Sequence, residues 1–252
     1  MSELKIRRYY TVIRWIDKQM SFIESACLLN NVFKALSSID PLFEEINLIS
    51  KPGKANIKLL YTAQSSSLND NDFAEILFKR EKYWIKKTKP NTPLNVENRD
   101  YPIFELFTLN GLPLECIKIN FTVGNIGLNE FRIDFPRNFI RDFEWYKQIL
   151  LSVINVFKPD YGGLYPIVIQ KLEPPIITAG WISYFSKGMG VEQKLFNDYI
   201  KYNVLENEFI YAIENQHMIQ KNDIQDKKLS DIVDIFKQLN KTLFIDYLDK
   251  KK

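Results

Sequence analysis

The segment from Arg141 to Phe157 constrains the fold most strongly, because it carries an unbroken apolar stripe at helical spacing. Residues three and four positions apart lie on one face of an α-helix, so the segment predicts a long helix with one buried face. Pro159 and Gly162-Gly163 end this helix. Such a helix needs an apolar layer to pack against. We expect the core to contain the stripe residues, which are Phe143, Tyr146, Ile149, Leu150, Val153, Ile154 and Phe157.

Three other segments also have helical signals. Ser21 to Ile39 repeats apolar residues at the same spacing, and Asp40-Pro41 closes it because a residue before proline is pushed out of the helical region. Asn69 to Trp84 begins with a plausible N-cap, Asn69, and with acidic residues that suit the helix dipole. Ser230 caps a last predicted helix. Its inward residues are Ile232, Ile235, Phe236, Leu239 and Leu243.

Between the helices lie short aromatic and β-branched segments bounded by turn residues, which is the pattern of strands. Three of them follow one another with short glycine-containing turns, which predicts an antiparallel meander. Because strands and helices do not alternate in a βαβ rhythm, the sequence predicts an α+β fold in one domain spanning residues 1–252, with a largely antiparallel sheet packed by several helices. The predicted strands are Ile6 to Trp15, Ile57 to Thr62, Tyr101 to Asn110, Leu114 to Val123, Asn129 to Phe135, Tyr161 to Gln170, Gly180 to Phe185 and Glu208 to Ile213.

Composition narrows the class of protein. The 252 residues are 46% hydrophobic and 26% charged, which suits a globular core with a charged surface. The net charge of +3 is too small to indicate nucleic-acid binding unless basic residues cluster. The N-terminal segment has charge without an apolar stretch, and no apolar run reaches membrane-spanning length. We therefore expect a cytoplasmic protein without a membrane partner.

Patterns that would indicate catalysis are weak. The lone His217 lies in a polar segment that is typical of a turn, and the sparse cysteines, Cys27 and Cys116, lie in apolar patterns that favour buried free thiols. Pro159-Asp160 followed by Gln170-Lys171 resembles a restriction-type nuclease motif, but Ile169 stands where the second carboxylate is needed. We therefore predict no catalytic residues, no metal and no cofactor.

Two charged clusters have both a plain and a functional interpretation. The basic residues that end the second helix either form a solvated helix end or face phosphate, and the first interpretation is favoured. They are Lys79, Arg80, Lys82, Lys86, Lys87 and Lys89. The acidic residues near the C-terminal end either form a solvated edge or meet the basic site of a nucleic-acid-binding partner. They are Glu206, Glu208, Glu214, Asp223 and Asp226.

Several segments, in this order, resemble the immunity-protein-52 family of bacterial polymorphic toxin systems. The most specific are Lys158-Pro-Asp-Tyr-Gly-Gly163 after the long helix and Gly180-Trp-Ile-Ser-Tyr184-Phe-Ser186. Weaker ones are the aromatic first strand, Ser25-Ala-Cys-Leu in the first helix and the closing strand Phe209-Ile-Tyr211. The resemblance implies an α+β immunity protein without enzymatic activity. It further implies a partner toxin of the restriction-endonuclease fold, typically delivered between competing bacteria by contact-dependent or type VI secretion.

A surface that binds this partner is predicted near the last strands. Gly180 is expected to let Trp181 approach a neighbouring backbone, since glycine lacks a side chain that would clash. Trp181 and Tyr184 are then either core residues or toxin contacts. The candidate partner-binding residues are Trp181, Tyr184, Glu206, Glu208, Tyr211 and Glu214. Two other hypotheses remain open: a nucleic-acid-binding or adaptor protein, and a metal-dependent nuclease.

Overall fold

The computed structural model describes residues 9–15, 20–51, 54–63, 69–88, 104–108, 117–122, 129–136, 139, 141–166, 180–189, 199–205 and 208–213. Its helices are α1 (Phe22–Ser37), α2 (Asp70–Thr88) and α3 (Phe143–Phe157). The strands are β1 (Tyr9–Trp15), β2 (Glu45–Lys51), β3 (Lys54–Thr62), β4 (Phe104–Thr108), β5 (Lys118–Thr122), β6 (Asn129–Asp134), β7 (Tyr161–Pro166), β8 (Ile182–Phe185), β9 (Tyr199–Leu205) and β10 (Glu208–Ile213).

These elements confirm the predicted α+β class and its largely antiparallel strand pairing. The chain divides into two compact units. The terminal unit comprises Met1–Ile13, Asp134–Leu151 and Pro159–Lys252, and the central unit comprises Arg14–Ile133 and Ser152–Lys158. Three of the four boundaries fall inside β1, β6 and α3, so these three elements contribute residues to both units, and the fourth lies between Lys158 and Pro159.

In the central unit the strands follow the order β3-β2-β4-β5-β6. The pairs β2–β3, β2–β4 and β4–β5 are antiparallel. In β5 buried and more exposed residues alternate, because Ile119 and Phe121 are buried while Lys118 is exposed. An aromatic core forms where Phe157 lies 4.8 Å from Phe131, measured between ring centroids. The sequence therefore places one face of this sheet against the end of α3.

Helix α1 begins and ends as its sequence predicts. Ser21 and Glu24 form a capping box, in which the Ser21 hydroxyl accepts from the Glu24 N–H at 3.2 Å and the Glu24 carboxylate accepts from the Ser21 N–H at 2.7 Å. The chain leaves the helix before Asp40, whose carboxylate accepts from the Leu42 N–H. The buried face of α1 packs on α2 and β3, and Phe33 lies 5.7 Å from the ring of Tyr61.

Helix α2 is capped at Asn69, as predicted, because the Asn69 side-chain oxygen accepts from the Asp72 N–H at 2.9 Å. It continues through Thr88, beyond the predicted end at Trp84. Strands β2 and β9 were not predicted. The predicted helix beginning at Ser230 lies outside the described residues.

In the terminal unit the strands follow the order β1-β7-β8-β10-β9. The pairs β7–β8, β8–β10 and β9–β10 are antiparallel. Helix α3 packs its predicted stripe inward, since Tyr146, Ile149 and Leu150 have no exposed surface. It ends at Phe157, and the next residue, Lys158, adopts a left-handed backbone conformation with φ of 47° before Pro159.

Candidate protein-binding site

The two most specific segments of the family resemblance lie side by side as strands β7 and β8. Gly162 pairs with Tyr184, and Gly163 pairs with Ser183. Backbone hydrogen bonds close both ends of the pair. The Trp181 N–H donates to the Leu164 carbonyl oxygen at 2.9 Å, and the Ser186 N–H donates to the Asp160 carbonyl oxygen at 2.7 Å. Residues far apart in sequence thus form one structural unit.

This strand pair requires glycine. A Cβ atom on Gly180 would lie 2.4 Å from the Leu164 carbonyl oxygen, and one on Gly163 would lie 2.1 Å from the Ile182 carbonyl oxygen. Real Cβ atoms essentially never approach so closely. The prediction that Gly180 permits close backbone approach is therefore confirmed, and the Trp181–Leu164 hydrogen bond depends on it.

The hydroxyl of Ser183 fixes the turn that leads into β8. Its Oγ accepts from the Gly180 N–H at 2.8 Å and lies 3.2 Å from the Gly180 carbonyl oxygen, to which it can donate. Ser183 has no exposed surface, so its hydroxyl serves the backbone. The sequence from Gly180 to Tyr184 therefore stabilises the local fold.

Trp181 and Tyr184 are core residues, with exposed fractions of 4% and 1%. The Trp181 ring lies 5.4 Å from that of Tyr9, within the terminal unit. Tyr211 is also buried, and burial raises the pKa of its hydroxyl. Of the two alternatives for Trp181 and Tyr184, the core alternative therefore fits the structure. None of these three side chains presents appreciable surface to a partner.

Of the acidic candidates, the structure describes only the backbone of Glu208. Glu208 is the first residue of β10 and pairs with Leu205, the last residue of β9. A register irregularity follows it, between Glu208 and Phe209. Glu206 and Glu214 lie outside the described residues, as does the side chain of Glu208. The acidic edge, which comprises Glu206, Glu208 and Glu214, therefore stays a prediction.

Most of the weaker chemical candidates lie outside the described residues. Asp160, the first residue of the nuclease-like motif, is half-buried, while Gln170 and Lys171 lie outside the described residues. The same holds for His217 and Cys116. Cys27 is a free thiol, as predicted, but it is half-buried and not fully enclosed. Burial raises the pKa of that thiol, and the neighbouring Asp70 raises it further.

A search of the described ranges found no group of three or more His, Cys, Asp or Glu side chains that could hold a metal ion. Within those ranges, no helix is both long and apolar enough to cross a membrane.

The structure brings together a cluster that the sequence analysis did not single out. Phe139, Arg141 and Trp145 meet where the chain enters α3, and we call these three residues the Arg141 patch. The guanidinium carbon of Arg141 lies 4.6 Å from the ring centroid of Phe139 and 5.9 Å from that of Trp145. Arg141 is exposed, and the two aromatic residues are partly exposed. Arginine and tryptophan are enriched among residues that anchor protein interfaces.

Buried aromatic residues pack against the Arg141 patch and fix its position. The ring of Phe139 stacks on that of Phe135 at 5.7 Å, with an interplanar angle of 8°. The Tyr146 hydroxyl donates to the Phe139 carbonyl oxygen at 3.1 Å. Trp145 packs edge-on against Tyr146 at 5.1 Å. The sequence signal for this patch was Trp145 itself, a large aromatic residue that falls outside the apolar stripe of α3.

A scan of the sequence against protein-family models found no match, and a search of curated proteins found none either.

Proposed function

We propose that this chain is a cytoplasmic immunity protein, which binds one cognate toxin in a stoichiometric complex and thereby neutralises it. The observation that carries the proposal is the assembly of the Lys158–Gly163 and Gly180–Ser186 segments into one strand pair. The segments on which the family resemblance most depends share backbone register and close-packed glycines. Such a shared structural requirement supports a common fold, and the resemblance then implies the function.

The burial of three aromatic candidate residues indicates that they contribute to the fold, and that other residues bind the partner. Trp181, Tyr184 and Tyr211 stabilise the terminal unit and offer almost no contact area. Binding therefore uses other residues, and we propose the acidic edge of Glu206, Glu208 and Glu214 for it.

An immunity protein has no turnover, so protection depends on holding almost all of the toxin at low concentration. This requires a nanomolar dissociation constant or better, about −12 kcal/mol. Interfaces of that strength bury about 1,600 Å² and depend on a few aromatic or charged anchors. A toxin of the restriction-endonuclease fold presents a basic DNA-facing cleft, so acidic residues of this chain would speed its association.

The proposal predicts a toxin reading frame directly upstream of this gene, and co-expression with that toxin then tests it. Bacteria that express the toxin domain are expected to grow only when this chain is present, and the purified proteins are expected to form a complex with nanomolar affinity in a calorimetric titration. The matched control is Gly163→Trp, which cannot form the β7–β8 pair and is expected to give no protection.

Two results would favour the other hypotheses. Magnesium-dependent cleavage of plasmid DNA by the purified chain, abolished by Asp160→Ala, would indicate a nuclease. Binding to DNA or RNA that weakens steeply with salt would indicate a nucleic-acid-binding protein. Growth arrest by the toxin despite abundant folded chain would contradict the immunity proposal.

The acidic edge has its own test in the same co-expression and titration assays. The double charge reversal Glu206→Lys with Glu208→Lys is expected to slow association with the toxin and weaken protection. Unchanged affinity and protection, with the protein still folded, would exclude Glu206 and Glu208 from the interface and leave the immunity proposal in place.

A further inference from the structure

We propose that Lys158, the exposed residue between α3 and β7, contacts the partner protein and pairs there with an Asp or Glu carboxylate. This inference rests on the proposed function, because it names a group that the partner supplies. It adds a cationic contact to the acidic edge considered above. Lys158 is not among the partner-binding residues that the sequence predicted.

The backbone conformation of Lys158 is unusual for its residue type. Its φ of 47° lies in the left-handed region, and within the described part of the chain no other non-glycine residue has a positive φ. Helices often end on such a residue, but the position is normally glycine, because a Cβ atom there crowds a neighbouring carbonyl oxygen. The Lys158 N–H donates to the Ile154 carbonyl oxygen at 2.8 Å, which fixes the conformation. Glycine would therefore fit this backbone better than lysine does.

Contacts within the chain give no reason for a lysine at this position. Phe157 and Pro159 are buried, whereas Lys158 between them is exposed. With the described residues, the Lys158 ammonium group forms no hydrogen bond, ion pair or ring contact. The side chain is thus presented to solvent from a backbone that its buried neighbours hold in place.

The dipole of α3 is the remaining way in which this cation can stabilise the fold. Cations near a helix C-terminus are favourable, but at an exposed position the gain is smaller than the penalty for a left-handed lysine. The fold therefore gains nothing from lysine over glycine. Strained backbone conformations of this kind concentrate at functional sites, which points to a role for the Lys158 side chain in binding.

The chemistry of the side chain determines the group that it binds. The ammonium group of lysine is a compact positive charge with three donors, carried on a flexible stem. Carboxylates are the anionic side chains of a protein partner, and they accept short, charge-assisted hydrogen bonds from such a donor. Because the backbone of Lys158 is already fixed, binding has to order the side chain alone, which lowers the entropy cost.

The experiment compares the unaltered chain with Lys158→Gly and Lys158→Glu in thermal unfolding and in binding kinetics. The binding probe is the upstream toxin domain, carrying a mutation that abolishes its activity. Lys158→Gly is expected to unfold at the same or a higher temperature and yet to bind about threefold more weakly, or worse. Lys158→Glu brings like charges together and is expected to weaken binding about tenfold or more. Both losses should shrink as salt is added, because exposed charge pairs are screened.

The matched control is Lys34→Glu. Lys34 is also an exposed lysine at the C-terminal end of a helix, in the last turn of α1. The variant therefore makes the same change of charge at the same kind of position, and its affinity for the toxin domain should stay unchanged.

The outcomes separate the two proposals. Unchanged affinity of both Lys158 variants for a toxin that the unaltered chain binds would overturn the contact and leave the immunity function standing. A lower unfolding temperature for Lys158→Gly would show that the lysine serves the fold, and an equal loss of affinity in Lys34→Glu would show an effect of net charge. Either result would overturn the inference. No binding by the unaltered chain would overturn the immunity function and this contact together.

Discussion

At the scale of single residues, the packing around Gly180 leaves no room for the Cβ atom that every other amino acid carries. A Cβ atom would lie 2.4 Å from the Leu164 carbonyl oxygen, which is the acceptor for the Trp181 N–H. Gly180→Ala therefore has to push two backbones apart, and overpacking of this kind costs about 1–3 kcal/mol. Urea unfolding of the variant measures the loss. A cost below about 0.5 kcal/mol, the range of neutral surface changes, would mean that the strands separate easily.

Because the terminal unit contains buried tyrosines, we expect the stability of the fold to fall at alkaline pH. Burial raises the pKa of Tyr9 well above its ordinary value of 10.0, and the nearby Tyr146 adds to the shift. A raised pKa stabilises the fold below the pKa of the unfolded chain, and this contribution is lost as the pH rises above it. We expect the free energy of unfolding to fall above about pH 10, by about 1.4 kcal/mol per pH unit for each such tyrosine.

The variant Tyr9→Phe isolates this effect, because it removes the ionising group and keeps the ring. Urea unfolding between about pH 9 and about pH 11 should show a shallower decline for the variant than for the unaltered chain, by the slope of one tyrosine. Identical pH slopes for the two proteins would show that the Tyr9 hydroxyl ionises equally well in the folded and unfolded states.

Sequence reasoning found the local requirements of the site but not its exposed surface. Gly180 could be interpreted correctly because only glycine permits such close backbone approach, although the sequence did not show that the approaching residue is Leu164. Whether Trp181 and Tyr184 were core or contact residues could not be decided, since both roles favour large aromatic side chains. The Arg141 patch depends on the turn that places Phe139 5.5 Å from Trp145, a contact that no residue spacing prescribes.

At the scale of elements, α3 is the element whose packing the sequence predicted most completely. Leu150 has no exposed surface, so Leu150→Ala should leave a cavity and cost about 2–5 kcal/mol. The neighbouring exposed residue Gln148 supplies the control, and Gln148→Ala should change stability by less than about 0.5 kcal/mol. Equal stability of the two variants in urea unfolding would place the Leu150 face outside the core.

Strands β2 and β9 were not predicted from the sequence, and the physical reason differs between the two. β2 pairs with β3 through two register irregularities, between Ile46 and Asn47 and between Ile49 and Lys51. Such irregularities break the alternation by which a strand is recognised in sequence. β9 keeps its alternation, with Ile200, Tyr202 and Val204 separated by polar residues, and could have been predicted from that pattern.

At the scale of the whole molecule, the α+β class followed from the mixture of periodicities, whereas the number of domains depends on long-range packing that periodicity does not encode. The two compact units are each assembled from separate stretches of chain. β1, β6 and α3 each contribute residues to both. A fold of this kind has few sites where the chain could be cut into independent pieces, because three of the boundaries fall within a strand or a helix.

We therefore expect the chain to unfold in one cooperative transition. Two variants test this, each keeping a single buried tryptophan in a described position: Trp15 for the central unit and Trp181 for the terminal unit. In each variant the fluorescence transition in urea should coincide with its own far-ultraviolet circular dichroism transition, which is the signature of two-state unfolding. Comparing probes within one variant removes the stability cost of replacing the other tryptophans. If fluorescence and circular dichroism give separate midpoints, and the separation is opposite in sign for Trp15 and Trp181, one unit unfolds before the other and the single-domain prediction is wrong.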